Sequence, residues 1–270
     1  MVKVAVLGAT GRMGRAVISC IAQAPQLKLT GALTEPKHAA LGRDAGEVAG
    51  IGAVRVPVTD DRKQALDGAQ VAIDFTLPEA LEANVRACEG AGTALVVGTT
   101  GLGESHQRAM RKAAHHIPLV YGRNMSLGVN LFIDVVARVA RTLGTEYDAE
   151  IIETHHRQKI DAPSGTALAL GEAVAAARGR KLADVAVYAR EGQIGPRVPG
   201  TIGFSVVRGG AVVGDHEVLF IGPEEQLELK HRALDRTTFA RGAVRAAQWV
   251  VGRAPGFYTM ADVLGLADGR

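Results

Sequence analysis

The chain has 270 residues, 47% of them hydrophobic and 22% charged, with a formal net charge of +3. That composition excludes a disordered chain, and the length suits one large domain or two modest ones. The slight positive excess favours anionic ligands, but no run of Lys and Arg reaches nucleic-acid-binding density and a single Trp gives no stacking platform, so nucleic acid is not an expected partner.

The opening "MVKVAVLGATGRMG" runs straight into a strand without the pattern of a signal peptide, and no apolar run approaches the roughly 20 residues of a spanning helix. A cytoplasmic protein without a membrane segment is expected. "VKVAVLG" is a short apolar strand, and in "RMGRAVISCIAQA" Met13, Val17 and Ile21 recur at four-residue spacing on one helix face. "LKLTGAL" is a second strand, and the polar, Gly-rich "EPKHAALGRDAGEVAG" reads as loop. "VAIDFT", "ALVVGTT" and "IPLVYGRNMS" repeat the pattern of an apolar strand ending in a polar turn, with "PEALEANVRACEGAG" as a helix between the first two. Alternating strands and helices indicate parallel crossover units and hence a doubly wound, Rossmann-type α/β sheet. Cys20 and Cys88 lack metal-ligand spacing and lie on apolar helix faces, which makes them core thiols.

The turn "GATGRMG" carries Gly8, Gly11 and Gly14 between the first strand and the first helix. Such glycines permit a tight bend and let backbone approach a pyrophosphate at the helix N-terminus. The spacing is GxxGxxG rather than the usual GxGxxG, so its position in the α/β series carries the reading. The polar turns Asp74 to Thr76, Gly98 to Thr100 and Gly122 to Met125 fall at carboxyl ends of strands, the edge that binds ligands in such sheets.

The second half changes character. "LGVNLFIDVVARVARTLG" is an amphipathic helix, followed by mostly strand-like segments, "YDAEIIETHH", "VAVYAR", "TIGFSVVRGGAVVGDHEVLFI" and "QLELKHRAL", with Gly209 and Gly210 resembling a hairpin turn. A second α+β domain with an open mixed sheet is expected over 127–236, and "TTFARGAVRAAQWVVG" and "FYTMADVLGL" return to helix, so that 1–126 and 237–270 form the dinucleotide-binding domain. Within "VGDHEV", Asp215, His216 and Glu217 read as outward-facing polar residues.

The densest chemical cluster is "EIIETHHRQKIDAPSGTALALGEA". Ser164 is placed to cap a helix that begins with Gly165 and Thr166 and ends near Gly179. The first-turn N–H groups, the Thr166 hydroxyl and the Lys159 ammonium suit a carboxylate, with Arg236 available for a second one. Lys159 is a proton donor near neutrality, and His155 can donate or accept. A zinc site is disfavoured because neighbouring strand residues face opposite ways and no third ligand lies nearby. His106, His115 and His116 lie on polar faces or loops and receive no role.

Taken with "GATGRMGR", "IDFTLPEA", "VVGTTG", "NMSLGVN" and "VPGTIGFSVVRGG", this cluster resembles the 4-hydroxy-tetrahydrodipicolinate reductase (dihydrodipicolinate reductase) family of the bacterial diaminopimelate and lysine pathway. The HHRxKxDAPSGTA string is far more specific than the glycine turn. The resemblance implies reduction of a cyclic unsaturated imine dicarboxylate by NADH or NADPH, with loss of water from the hydroxylated form. It implies His155 as proton donor or acceptor, Lys159 as proton donor, and His156 with Gly165 and Thr166 as substrate-holding. It assigns the dinucleotide to Gly8, Ala9, Thr10, Gly11, Arg12 and Met13, to Gly98, Thr99 and Thr100, and to Gly122, Arg123, Asn124 and Met125. It further implies domains that close around their ligands and a homotetramer assembled through the second domain. Another nicotinamide enzyme acting on an amino or imino acid would share the glycine turn but not the HHRxK cluster, and a nonenzymatic dinucleotide sensor would need no proton donor beside the nicotinamide; Lys159 argues against both.

One position departs from the family. Many members carry an acidic residue followed by arginine after the second strand, where this chain has Thr34 and Glu35. Glu35 can accept from the ribose hydroxyls and would repel a 2′-phosphate, whereas Arg12 and Lys37 would attract one. Use of both cofactors, with NADH preferred, is expected.

Overall fold

In a computed structural model, residues 1–266 are described. In chain order the elements are β1 (Val2–Leu7), α1 (Arg12–Ala22), β2 (Leu27–Leu33), α2 (Ala45–Ala49), β3 (Val58–Thr59), α3 (Arg62–Leu66), β4 (Val71–Asp74), α4 (Pro78–Ala91), β5 (Ala94–Val97), α5 (Glu104–Ala113) and β6 (Pro118–Tyr121). They continue with α6 (Leu127–Leu143), β7 (Asp148–His155), α7 (Gly165–Ala177), α8 (Leu182–Val185), β8 (Ala186–Val187), β9 (Ile202–Arg208), β10 (Gly214–Ile221), β11 (Gln226–Ala233), α9 (Thr237–Val250), β12 (Gly256–Thr259) and α10 (Met260–Leu264). The chain divides into two compact units, Met1–Leu127 together with the segment from Arg236 onward, and Gly128–Asp235.

The first unit is a parallel seven-stranded sheet in the order β12-β6-β5-β4-β1-β2-β3. Its strands are short apolar runs because both faces are covered: every residue of β4 and β5 is buried. Alternate residues feed two cores. Val4, Val6, Ile73 and Val96 pack with α1 and α9, whereas Ala5, Leu7, Ala72 and Leu95 pack with α3, α4 and α5. Cys20 lies in one of these cores and Cys88 in the other, where burial pushes the Cys88 thiol up.

In the first unit, two segments differ from the expectation. The segment read as loop contains α2, which forms because the Asp44 carboxylate accepts from five backbone N–H groups, those of Gly46 and Glu47 in its first turn and of Val54, Arg55 and Val56 beyond it. The segment "FYT" is not helical: Gly256–Thr259 adds β12 beside β6 in parallel register, and only then does α10 start.

The second unit is a five-stranded mixed sheet in the order β11-β10-β7-β9-β8, with β9 parallel and β10 antiparallel to β7. One face is covered by α6 and α7, whose Phe132, Val136, Ala140, Leu170 and Val174 meet Ala149, Ile151, Phe204, Val218 and Phe220. Gly209 and Gly210 do not make a hairpin, because β7 lies between β9 and β10. The connection instead wraps the end of β7, with Gly209 N–H donating to the His155 carbonyl (2.9 Å) and His156 N–H to the Val212 carbonyl (2.8 Å). "VAVYAR" gives only the two-residue β8 after the short α8. Among the described residues no helix is long and apolar enough to cross a membrane.

Candidate functional site

In the first unit, strand order reverses between β1 and β4, so the turns after them flank the crevice where open α/β sheets bind ligands. Gly8 has φ +80°, and a Cβ there would lie 2.8 Å from the Phe75 carbonyl oxygen; a Cβ on Gly14 would run into the Gly8 carbonyl. Only glycine fits this turn. Gly11 caps α1, and among the described residues no side-chain cap hydrogen bond reaches its first-turn N–H groups. A glycine turn held against β4 and a helix start without a side-chain cap fit a dinucleotide pyrophosphate.

The expected cofactor residues separate by exposure. Ala9, Thr34, Thr99 and Met125 are buried, whereas Gly11, Arg12, Glu35, Thr100 and Arg123 are exposed. Thr34 Oγ1 pairs with Thr10 Oγ1 (2.7 Å), which leaves Glu35 as the acidic group at the surface after β2. Thr99 Oγ1 donates to the buried Asp74 carboxylate (3.2 Å), which also accepts from Thr76 and Asn84. Burial pushes the Asp74 carboxyl up against the opposing pull of these bonds. Asp74, from the expected turn after β4, and Asn84, which the sequence reading did not single out, tie the turns after β4 and β5 together. Gly122 N–H donates to the Val97 carbonyl (3.1 Å), and Asn124 Oδ1 accepts from Ser126 N–H (2.8 Å).

In the second unit, β7 alternates strictly, so Ala149, Ile151, Glu153 and His155 share the buried face. The last two make the end of that face polar. His155 Nδ1 pairs with Glu153 Oε2. Glu153 Oε1 accepts from Ser164 N–H (2.9 Å), and the Arg208 guanidinium grips both carboxylate oxygens at 2.8 and 2.9 Å. Burial pushes Glu153 up, but Arg208, His155 and the Ser164 N–H outweigh it and hold the carboxyl below its usual value. Burial also lowers His155, with Glu153 opposing and Lys159 and Arg208 adding to the fall.

Ser164 caps α7, as its position suggested: its Oγ accepts from Ala167 N–H (3.1 Å) and pairs with His216 Nε2 (3.0 Å). His216 therefore faces inward, contrary to the reading of "VGDHEV" as an outward-facing run. It sits on the buried face of β10 with Gly214, Val218 and Phe220, its ring edge-on to His155 at 5.0 Å between centroids. Burial first, and then His155, depress its pKa to about 4. Asp215 and Glu217 do lie on the other face, paired with Arg232 and Lys230.

Lys159 Nζ bonds both Asp161 oxygens at 2.7 Å, on the segment between β7 and α7. His156 is half-buried, and Gly165 and Thr166 form the first turn of α7. His155, Lys159, Ser164, Gly165 and Thr166 thus belong to one cluster. Arg236 does not belong to the second unit, where the expected boundary put it: it is the exposed residue at the head of α9 in the first. Glu153 and Arg208 were missed. The signal for Glu153 was the period-two alternation continuing from Ile151; Arg208 is 55 residues from its partner and left no local signal. Among the described residues no group of three His, Cys, Asp or Glu side chains could hold a metal ion.

Comparison with known proteins yields a consistent set. The family model described as the N-terminus of dihydrodipicolinate reductase matches residues 2–125, and the one described as its C-terminus matches residues 128–264. A 4-hydroxy-tetrahydrodipicolinate reductase of Alkalilimnicola ehrlichii is 54% identical over 98% of this chain and 99% of its own length. One of Pseudomonas fluorescens is 51% identical over 98% of this chain and 100% of its own. The dipicolinate-bound dihydrodipicolinate reductase from Paenisporosarcina sp. TG-14 superimposes with a TM-score of 0.77 at 21% identity, covering 97% of this chain and 98% of that one, a likeness of fold.

Proposed function

The chain belongs to the dihydrodipicolinate reductase family, and from that premise we propose that it reduces 4-hydroxy-tetrahydrodipicolinate, with loss of water, to tetrahydrodipicolinate. The observation that carries the reading is the cluster at the head of α7, where a carboxylate-held histidine, a lysine and a capped helix start occur together. When bound, the nicotinamide dinucleotide supplies the hydride. The turn at Gly8 to Met13 and the start of α1 hold its pyrophosphate, with the turns at Gly98 to Thr100 and Gly122 to Met125 beside them. The first-turn N–H groups at Gly165 and Thr166 orient a substrate carboxylate, aided by the partial positive charge of the helix N-terminus. The Lys159 ammonium exchanges Asp161 for that carboxylate and donates a proton to the reduced ring, with His155 and His156 beside it.

The exposed Glu35 beside the buried Thr34 supports use of both cofactors with NADH preferred, Arg12 and Lys37 keeping the margin small. The face of the second sheet opposite α6 and α7 carries Ile152, Leu219 and Ile221, all half-buried, and the exposed Val207, which supports a homotetramer built through this face. Light scattering reporting a monomer at micromolar concentration would contradict it. A cytoplasmic enzyme fits the pathway. The decisive assay is steady-state oxidation of NADH or NADPH with freshly made aldolase-type product, with oxaloacetate plus ammonia, and without substrate. Turnover confined to the first supports the reading; turnover with the amino-acid-forming pair, or with none, overturns it.

A further inference from the structure

We propose that Glu153, gripped by Arg208, is the positioning residue of this site: one buried carboxylate fixes which nitrogen of His155 carries the exchangeable proton and ties the Lys159 segment and the head of α7 to that ring. The proposal rests on the reductase reading above and deepens it. Glu153 is 1% exposed and occupies a face that Ala149 and Ile151 begin as apolar. An aliphatic residue would continue that face without desolvating a charge pair, so packing alone gives no reason for a carboxylate.

Its bonds explain its presence. An ionised carboxylate only accepts, and all four of its contacts are donors: His155 Nδ1, Ser164 N–H and the two Arg208 nitrogens. Nδ1 of His155 must therefore carry hydrogen, and proton exchange falls to Nε2. That nitrogen faces Gly214, where an added Cβ would come within 2.9 Å of it. Through the same guanidinium, Arg208 Nη2 donates to the Asp161 carbonyl (2.7 Å), in the residue whose carboxylate holds Lys159. Among the described residues, the charged and titratable groups facing His155 are Glu153 on its own strand, Lys159 on the following segment, Arg208 on β9 and His216 on β10. Among these only Glu153 favours the imidazolium, so its removal moves the His155 titration to lower pH whether His155 donates or accepts. Removing Arg208 moves it to higher pH.

The test uses the full-length protein in two formats. In Glu153→Gln, the pH–kcat limb that disappears in His155→Ala should move at least about one unit lower, with kcat reduced at least about 10-fold and the dinucleotide KM unchanged, because an imidazole in the wrong tautomer loses its proton route. In Arg208→Gln the limb should move up; this opposite sign also judges the proposal if Glu153→Gln fails to fold. Nitrogen-15 imidazole shifts of the protein without substrate or cofactor should report the Nδ1–H tautomer of His155 in the wild type and its loss in Glu153→Gln. A wild-type limb and wild-type tautomer in the folded variants would overturn the role of Glu153. Absence of turnover by the wild type would instead overturn the reductase reading, and the shifts would still judge Glu153.

Discussion

Ser164→Ala removes two hydrogen bonds from a residue that is 3% exposed. The first is the cap to Ala167 N–H at 3.1 Å, whose loss costs about 1 kcal/mol. The second is the pairing with His216 Nε2 at 3.0 Å. Because the His216 Nδ1 is already buried with no hydrogen-bond partner among the described residues, the ring would lose its remaining hydrogen bond, at about 1–3 kcal/mol. The sum, about 2–4 kcal/mol, corresponds at roughly 2–4 °C per kcal/mol to a midpoint at least about 4 °C lower. Differential scanning calorimetry at pH 7.5 measures it, and the substrate KM should rise because the first turn of α7 loses its anchor. In a His216→Phe background the penalty should shrink to that of the cap alone, about 1 kcal/mol. A midpoint within about 1 °C of wild type, or the same penalty in both backgrounds, would refute the reasoning.

Two further outcomes follow from single groups. Wild-type specificity constants for NADH and NADPH should differ by less than about 100-fold in favour of NADH, under about 3 kcal/mol, and Glu35→Arg should shift the ratio toward NADPH; a strong wild-type preference for NADPH would mean that Arg12 and Lys37 govern the pocket. His216, with its pKa depressed to about 4, stays neutral in the folded chain while the unfolded chain takes up a proton near pH 6.5. Its contribution to stability is therefore intact above about pH 6.5 and falls by about 2–3 kcal/mol as the pH drops toward 4. Urea unfolding across that range should show a shallower loss in His216→Gln, and parallel curves would contradict the assignment.

The parallel sheet was legible because β1, β4 and β5 are short, mostly apolar runs, broken only by the exposed Lys3 near the start of β1 and by Asp74 at the end of β4, the pattern expected of strands covered on both faces. The glycine turn and the Ser164 cap were legible because their chemistry is local: a positive φ at Gly8 and a serine ahead of a helix mark themselves. What escaped depends on distant partners. α2 exists through the reach of Asp44 to Val54, Arg55 and Val56, and β12 is a four-residue strand made by pairing with β6. His216 looked solvated because its neighbours Asp215 and Glu217 are charged, yet alternation turns it inward to Ser164. Reading the same alternation through "EIIETH" would have put Glu153 behind His155; nothing local could have supplied Arg208.

The central claim, that the cluster at the head of α7 delivers the proton for reduction of a cyclic imine, is tested most directly by Lys159→Ala under saturating dinucleotide. The account predicts kcat lower by roughly 100-fold or more, the contribution typical of a positioned acid, with weaker substrate binding and unchanged dinucleotide affinity. Near-normal turnover in that variant would contradict it.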